Sequence, residues 1–343
     1  MIREVDERIR FYSAKAAVYP RSWPVQVQLA SAYLGKARLT YAPVWLEKST
    51  AAIEASLAIQ PNFEAFKMKA RTLNYAHRFE QAIAWARRAQ EVIAPEPDSE
   101  ITALLVDAYM GLGRYDDAAR ILPPPGSRTG DLHAAGAMGS WLASQKRWDE
   151  AVEAFSEAAS LARAVHVHEV AVWAEVNAAG IFIDSGRFEA ARPHLEAAAR
   201  LDPGNVEWQI HWAEFLEAKE RKLEALSIYA ELASELDNPS IHQRALRVAR
   251  ELGLESESAH HFHAAEKGYQ TVLDAGEIYS LEGLARLYAD EEIRLDHALA
   301  LAERNLEYKR DVEAFITLAH VRERAGSELS VLKIRPASLD SPN

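Results

Sequence analysis

Small and large apolar residues recur along this chain in columns, at spacings that a helix brings to one face. A small residue falls at Ser49, Ala82, Ala118, Ala151, Ala191, Ala225, Ser258 and Ala298, with successive separations of 33, 36, 33, 40, 34, 33 and 40 residues. Four of these close a phrase of turn, aromatic, acid and small residue, as in Arg78-Phe79-Glu80-Gln81-Ala82, Arg114-Tyr115-Asp116-Asp117-Ala118, Arg147-Trp148-Asp149-Glu150-Ala151 and Arg187-Phe188-Glu189-Ala190-Ala191. One helical turn further stand Ile53, Ala86, Leu122, Phe155, Leu195, Tyr229, Phe262 and Ala302. Two more columns precede each of these. Ala30, Ala70, Val106, Gly139, Ala179, Ala213, Leu246 and Ala285 are followed three residues later by Tyr33, Leu73, Tyr109, Leu142, Phe182, Leu216, Ala249 and Tyr288. With 3.6 residues per turn, each column lies on one face of a helix. The pattern therefore predicts about eight helix pairs, packed closely at the small residues, with the large ones filling the space between units.

Turn signals punctuate the pairs where a helix must stop, at Gln60-Pro61-Asn62, Leu201-Asp202-Pro203-Gly204-Asn205 and Asp237-Asn238-Pro239. Two units depart from the pattern: the first carries an insertion around Thr40 to Trp45, and the third is cut short by Pro123-Pro124-Pro125. Residues 2 to 18 read as one amphipathic helix with Val5, Ile9, Tyr12 and Ala16 on a face, suited to cap the first pair. The expected organisation is a capping helix over 1–19, a continuous array over 20–326 ending in an unpaired helix, and a non-periodic tail over 327–343. That last helix, residues 311 to 325 with Phe315, Leu318 and Ala319, meets no partner helix in the pattern. Its apolar face is left for the tail or for a second copy of the chain, so homo-oligomerisation through residues 311–343 is one expectation.

Composition supports the helical reading. The 343 residues are 49% hydrophobic and 26% charged, an ordinary globular balance. A formal net charge of -12 repels phosphate backbones, and the short basic clusters, such as Arg87-Arg88, are interleaved as on a solvated helix face. No nucleic-acid partner is expected. The absence of cysteine removes disulfides, thiol catalysis and Cys-ligated zinc. No stretch approaches the length of an apolar membrane span, and MIREVDERIR has no signal-peptide core. The chain as written is expected to be cytoplasmic, without membrane insertion; a removed leader would make it periplasmic or secreted.

The columns, the turn phrase and above all the run from Gly186 to Asn205, with Gly-Arg-Phe, Ala191, Leu195, Ala198 and a closing Leu-Asp-Pro, resemble the tetratricopeptide repeat family over roughly residues 20 to 326. The resemblance implies an all-α fold, a right-handed superhelical solenoid of antiparallel helix pairs, whose first helices line a concave surface for a protein or peptide. By helical phase the groove positions are Lys67, Arg71, Asn74, Tyr75, Asp107, Met110, Gly136, Ser140, Asn177, Asp184, His211, Glu214 and Glu217. Their charge runs from basic near residue 70 to acidic near residue 215, a direction that would orient a dipolar segment. The carboxylate-clamp subset of the family is matched only at Lys67, with Arg71 where that subset has Asn, so chaperone-tail binding is not expected.

Candidate catalytic and cofactor chemistry is sparse. There is no G-x-S-x-G elbow, and Gly111-Leu112-Gly113 lacks the strand and third glycine of a nucleotide loop. His260 and His263 fall on adjacent turns above Glu257, but a metal site needs converging ligands from more than one direction. With Phe262 as the inward anchor, the histidines are expected to be exposed, and neither metal nor cofactor is assigned. Among eight tryptophans, Trp148 and Trp212 occupy packing columns, while Trp173 and Trp208 fall outside them and are the expected surface aromatics. The reading favoured is a non-enzymatic protein- or peptide-binding scaffold. Its rivals are a regulatory or substrate-recruiting subunit of an enzyme complex and a self-assembling scaffold.

Overall fold

A computed structural model describes residues 2–92, 98–124 and 129–326. Among them are eighteen helices and no strand: α1 Ile2–Val18, α2 Trp23–Thr40, α3 Pro43–Ile59, α4 Phe63–Tyr75, α5 Phe79–Val92, α6 Ser99–Gly111, α7 Tyr115–Ile121, α8 Leu132–Ser144, α9 Trp148–Ala164, α10 His168–Asp184, α11 Phe188–Leu201, α12 Val206–Ala218, α13 Lys222–Leu236, α14 Pro239–Glu251, α15 Glu255–Asp274, α16 Leu281–Asp290, α17 Leu295–Asn305 and α18 Val312–Arg324. Consecutive helices from α2 to α17 pack as eight pairs, α1 lies against α2, and α18 lies against α16 and α17. The tail from 327 onward, and the homo-oligomer expectation where it rests on that tail, lie outside the described residues. No described helix is long and apolar enough to cross a membrane.

Two kinds of turn alternate over much of the array, the entry to α10 by His166 being an exception, and the sequence shows why. Entering a first helix, an Asn or Asp accepts hydrogen bonds from the first free N–H groups: Asn62 from Ala65, Asp98 from Ile101, Asp131 from His133 and Ala134, Asn205 from Glu207 and Trp208, Asn238 from Ser240. Between the two helices of a pair, one residue turns left-handed just before the second helix: His77, Gly113, Lys146, Gly186, Glu220 and Gly253, with φ between 57° and 72°. The prolines after Leu122 stop α7 after seven residues.

The small-residue columns are buried throughout. Ala30, Ala70, Val106, Ala179, Ala213 and Ala285 on the first helices are fully enclosed, as are Ala118, Ala151, Ala191, Ala225 and Ala298 on the second. Ser49 is enclosed too, and its hydroxyl donates to the Ala30 carbonyl at 2.9 Å, joining the two columns within one pair. At Gly139, the glycine of these columns, the approach is too close for a side chain, since a Cβ there would sit 2.8 Å from the ring of the buried Phe155. One column shifts. The buried positions of α15 are Ser258, His261, Ala265, Tyr269 and Val272, so His261 faces inward and Phe262, the expected anchor, is only half-buried.

The array also closes on itself. The turn within each of the first three pairs meets the turn that follows each of the sixth, seventh and eighth. Asn238 Nδ2 donates to the Leu39 carbonyl at 2.9 Å, Arg78 donates to Glu277 at 3.1 Å, and the Arg310 N–H donates to the Gly111 carbonyl at 2.7 Å. In all three contacts the partners are 199 residues apart. A constant offset at successive pairs means that the ribbon completes a turn in between five and six pairs and lies edge to edge on its own beginning. Tyr41 and Tyr279 fasten the seam, each hydroxyl donating to the other's carbonyl at 2.8 and 3.1 Å. Val312 N–H donates to the Tyr115 hydroxyl at 3.1 Å, extending it to α18.

Substitution of Gly139 by Ala is expected to destabilise the protein by about 1–3 kcal/mol in chemical denaturation, because the fully buried Phe155 ring has nowhere to move. Gly35→Ala in the middle of α2, where a Cβ meets nothing within 4 Å, is expected instead to be neutral or to stabilise by up to about 1 kcal/mol.

Candidate functional site

The first helices carry a ladder of polar side chains whose rungs reach from one unit to the next. Lys67 of α4 pairs with Glu64 at 3.2 Å and with Glu100 of α6 at 2.7 Å, and Arg71 pairs with the same Glu100. Asn74 Nδ2 donates to the Leu104 carbonyl at 2.9 Å, and the Tyr75 hydroxyl donates to the Ala37 carbonyl of α2 at 3.0 Å. Burial pushes that hydroxyl well above its ordinary range, so it remains a donor at all physiological pH values. Four of the expected groove residues are therefore committed to neighbouring units.

The far side repeats this arrangement with the signs exchanged. His211 Nδ1 lies 2.6 Å from Glu214 Oε2, and Arg244 of α14 pairs with the same carboxylate. Burial alone would raise the Glu214 carboxyl, but hydrogen bonds from His211 and Arg244 overcome it and hold it low. Glu217 takes Arg247 at 2.6 Å and the Tyr229 hydroxyl at 2.9 Å. The expected charge direction, basic near residue 70 and acidic near residue 215, is thus cancelled within the wall: Glu100 answers the first cluster, and Arg244 with Arg247 the second. Asn177 donates to the Trp173 carbonyl at 2.8 Å, and Ser140 is half-buried on α8.

Arg38, Asp107 and Asp184 are among the charged side chains of this face that make no ion pair among the described residues. Arg38 on α2 and Asp107 on α6 are both exposed, and Arg38 and Arg71 are the cations that act on the Asp107 carboxylate. Although water reaches Asp107, the surrounding protein raises its carboxyl to about 6, against the opposing pull of Arg38 and Arg71. Glu169, on α10, acts on Arg71, so the field of the second unit is felt three units on. Arg38 is the residue that sequence reasoning missed. It lies eight residues after Ala30 and five after Tyr33, and nothing in those columns distinguishes it from a solvated arginine.

The two tryptophans expected at the surface are only partly exposed. Trp173 is half-buried, edge-on to Phe155 at 5.5 Å, and packs so tightly on α8 that a Cβ at Gly136 would lie 2.7 Å from its ring. Gly136 exists to admit it. Trp208 is half-buried against Val172, Val176 and Ala198, and its indole N–H donates to the Asp202 carbonyl at 2.9 Å. Trp208 stands five residues before Ala213, a step that is also buried as Val25, Ile101 and Ile241, whereas Trp173 fills space between units at a step that other first helices give to Glu64, Glu100 and Glu207.

Of the histidines expected to be exposed, His261 departs from expectation and His260 and His263 do not. His261 is buried and faces His242 of α14, their Nδ1 atoms 2.9 Å apart, while His260 and His263 are exposed.

Two family models match the chain, both described as tetratricopeptide repeat, over residues 131–203 and 182–248. No curated protein matches it. Among solved structures it is similar to the APC/C hetero-tetramer Cut9–Hcn1, at 14% identity and a TM-score of 0.53, over 91% of this chain and 58% of that one. It is also similar to a tetratricopeptide repeat protein from Parabacteroides merdae, at 11% identity and a TM-score of 0.44 over 76% of this chain and 98% of that one. Yeast Tom70 gives 13% identity and a TM-score of 0.38, over 94% of this chain and 59% of that one. The chain spans less than two thirds of the Cut9–Hcn1 and Tom70 chains.

For Asp107 the sign of the pH dependence follows from its raised carboxyl. An acid whose folded pKa lies above its unfolded value costs stability once pH exceeds both, and the cost disappears as pH falls through about 6 toward 4. Asp107→Asn is therefore expected to raise the melting temperature at pH 7.5, by the equivalent of at most about 1 kcal/mol after solvent screening. At pH 4 the gain should vanish, as thermal melts at the two pH values would show.

Proposed function

We propose that this chain, which is a tetratricopeptide repeat protein, is a non-enzymatic scaffold that holds a protein or peptide segment on the inner face of its first helices. The family's fold is generally one of protein interaction rather than catalysis, which supports the class of function. The observation that carries the site is the contrast along the ladder. Lys67, Arg71, Asn74, Tyr75, Asn177, Glu214 and Glu217 each spend their polar groups on the array. Arg38 and Asp107 present opposite charges to water without an ion-pair partner. A partner segment that carries an acidic and a basic group in series would satisfy both, and recognition by opposite charges favours orientation and on-rate over bulk affinity. Ser140 and His211, further along the same face, complete the proposed contact surface, and the committed residues act there by keeping the wall rigid.

Paired captures from a lysate of the source cell test this reading, using the wild type, Arg38→Glu with Asp107→Lys, and Lys67→Glu with Arg71→Glu. The first double variant is expected to lose partner recovery by about tenfold while the melting temperature stays near that of the wild type. The second is expected to lower the melting temperature as well, because it leaves Glu100 facing two added acids. Recovery unchanged in the Arg38 and Asp107 variant would remove those residues from the site.

A further inference from the structure

Three histidines from two helices meet at the outer end of the seventh pair. His242 of α14 and His261 of α15 are both buried, 4% and 5% exposed, with Nδ1 atoms 2.9 Å apart. His260, exposed, completes the group: each of the three offers a ring nitrogen, and these atoms all lie within 4.8 Å of one another. Its ring centroid stands 6.0 Å from that of His242 and 5.1 Å from that of His261.

Beside His242, on the solvent side, stands the exposed carboxylate of Asp237. Asp237 closes α13 in the left-handed conformation, at φ 50°, and this places its Oδ1 3.5 Å from His242 Nε2. That nitrogen is buried and makes no hydrogen bond.

We propose that His242, His260 and His261 form a mononuclear site for a borderline divalent transition metal, zinc being the type, with Asp237 orienting His242 from the solvent side. Zinc binds imidazole nitrogen at about 2.0–2.1 Å, so two such ligands in a tetrahedron stand roughly 3.4 Å apart. The two Nδ1 atoms need to separate by only about half an ångström to admit the ion. Without a metal, two facing Nδ1 atoms share one hydrogen bond and His242 Nε2 is left with a distant carboxylate. With a metal on Nδ1, His242 must carry its proton on Nε2, aimed at Asp237, which is the carboxylate–histidine–metal relay that fixes tautomer and ring orientation in zinc sites. Three neutral nitrogen ligands select zinc and its neighbours over magnesium or calcium, which take oxygen. The exposed side, by His260, leaves a fourth position for water.

The site ties α14 to α15 and holds the turn after α13. The same turn carries Asn238, whose side chain reaches the Leu39 carbonyl across the seam. Metal binding would therefore stiffen the array where its end lies on its beginning.

The test uses the full untagged chain, stripped with chelator and dialysed. Calorimetric titration with Zn²⁺ is expected to show one saturable equivalent, and Co²⁺ to give the visible absorption of a tetrahedral site. His260→Ala, at an exposed position, should keep the metal-free melting temperature, weaken Zn²⁺ by at least about tenfold and lose the Co²⁺ bands. Asp237→Asn should weaken Zn²⁺ by about 10–100-fold while keeping the one-to-one stoichiometry. His263→Ala, which removes an exposed neighbour outside the trio, should bind as the wild type does. Failure of the wild type to bind one equivalent, or equal affinity in the wild type and His260→Ala, would overturn the assignment.

Discussion

Two helices run side by side at closest range where neither side chain at the crossing is large, and in this chain six of the eight pairs meet that condition, with Val106 and Leu246 standing at the position in the third and seventh. Ser49 and Ala30, Ala82 and Ala70, Ala151 and Gly139, Ala191 and Ala179 are all buried where their helices cross. Because most crossings are alike, each pair is rotated from the last by a similar step, and similar steps accumulate into a superhelix. The large residues then have set places between units, as Phe155, Leu195 and Tyr229 show. A bulkier residue at one crossing would bend the path for every pair beyond it.

The accumulated rotation has a consequence that a shorter array would not show. After 199 residues the edge of the ribbon returns to its own first pairs, and polar contacts at three successive levels hold it there. The seam is built from turn and helix-end residues: Asn238, Glu277, Tyr279 and Arg310 on one edge, with Leu39, Tyr41, Arg78 and Gly111 on the other. Burial raises the Tyr41 hydroxyl far above its ordinary range, with Tyr269, Tyr75 and Tyr279 adding to the effect, so it stays protonated and donating. A fastened turn gives the inner face a fixed curvature, and a fixed surface binds with less ordering cost than one that must close around its partner.

The periodic part of this account is legible in the sequence and the non-periodic part is not. Columns of small and large residues are enough to place the helix pairs, since a helix repeats its face every few residues and the units repeat theirs every thirty-odd. Phase within one helix is less secure: in α15 the interior position lies three residues after Ser258 rather than four, which exchanges His261 for Phe262. The ladder of ion pairs shows how a charge can be read correctly and its availability misread. Lys67 and Arg71 are basic and face the groove, but Glu100, about one unit on, neutralises both. Trp173 and Trp208 look unassigned because they pack between units from steps outside the columns chosen to define the repeat. The seam leaves no local signal at all, since its partners are joined by the whole curvature of the chain.

Closure of the array is the claim from which the rigid inner face and the stiffened seventh pair both follow, and the absence of cysteine makes it directly measurable. Spin labels on Asp116→Cys and Glu313→Cys, two exposed positions flanking the contact of Tyr115 with Val312, report the distance across the seam in solution by pulsed dipolar spectroscopy. A closed array gives one narrow distribution at short range. A broad distribution, or a single one tens of ångströms longer, would mean an open solenoid and would contradict the account.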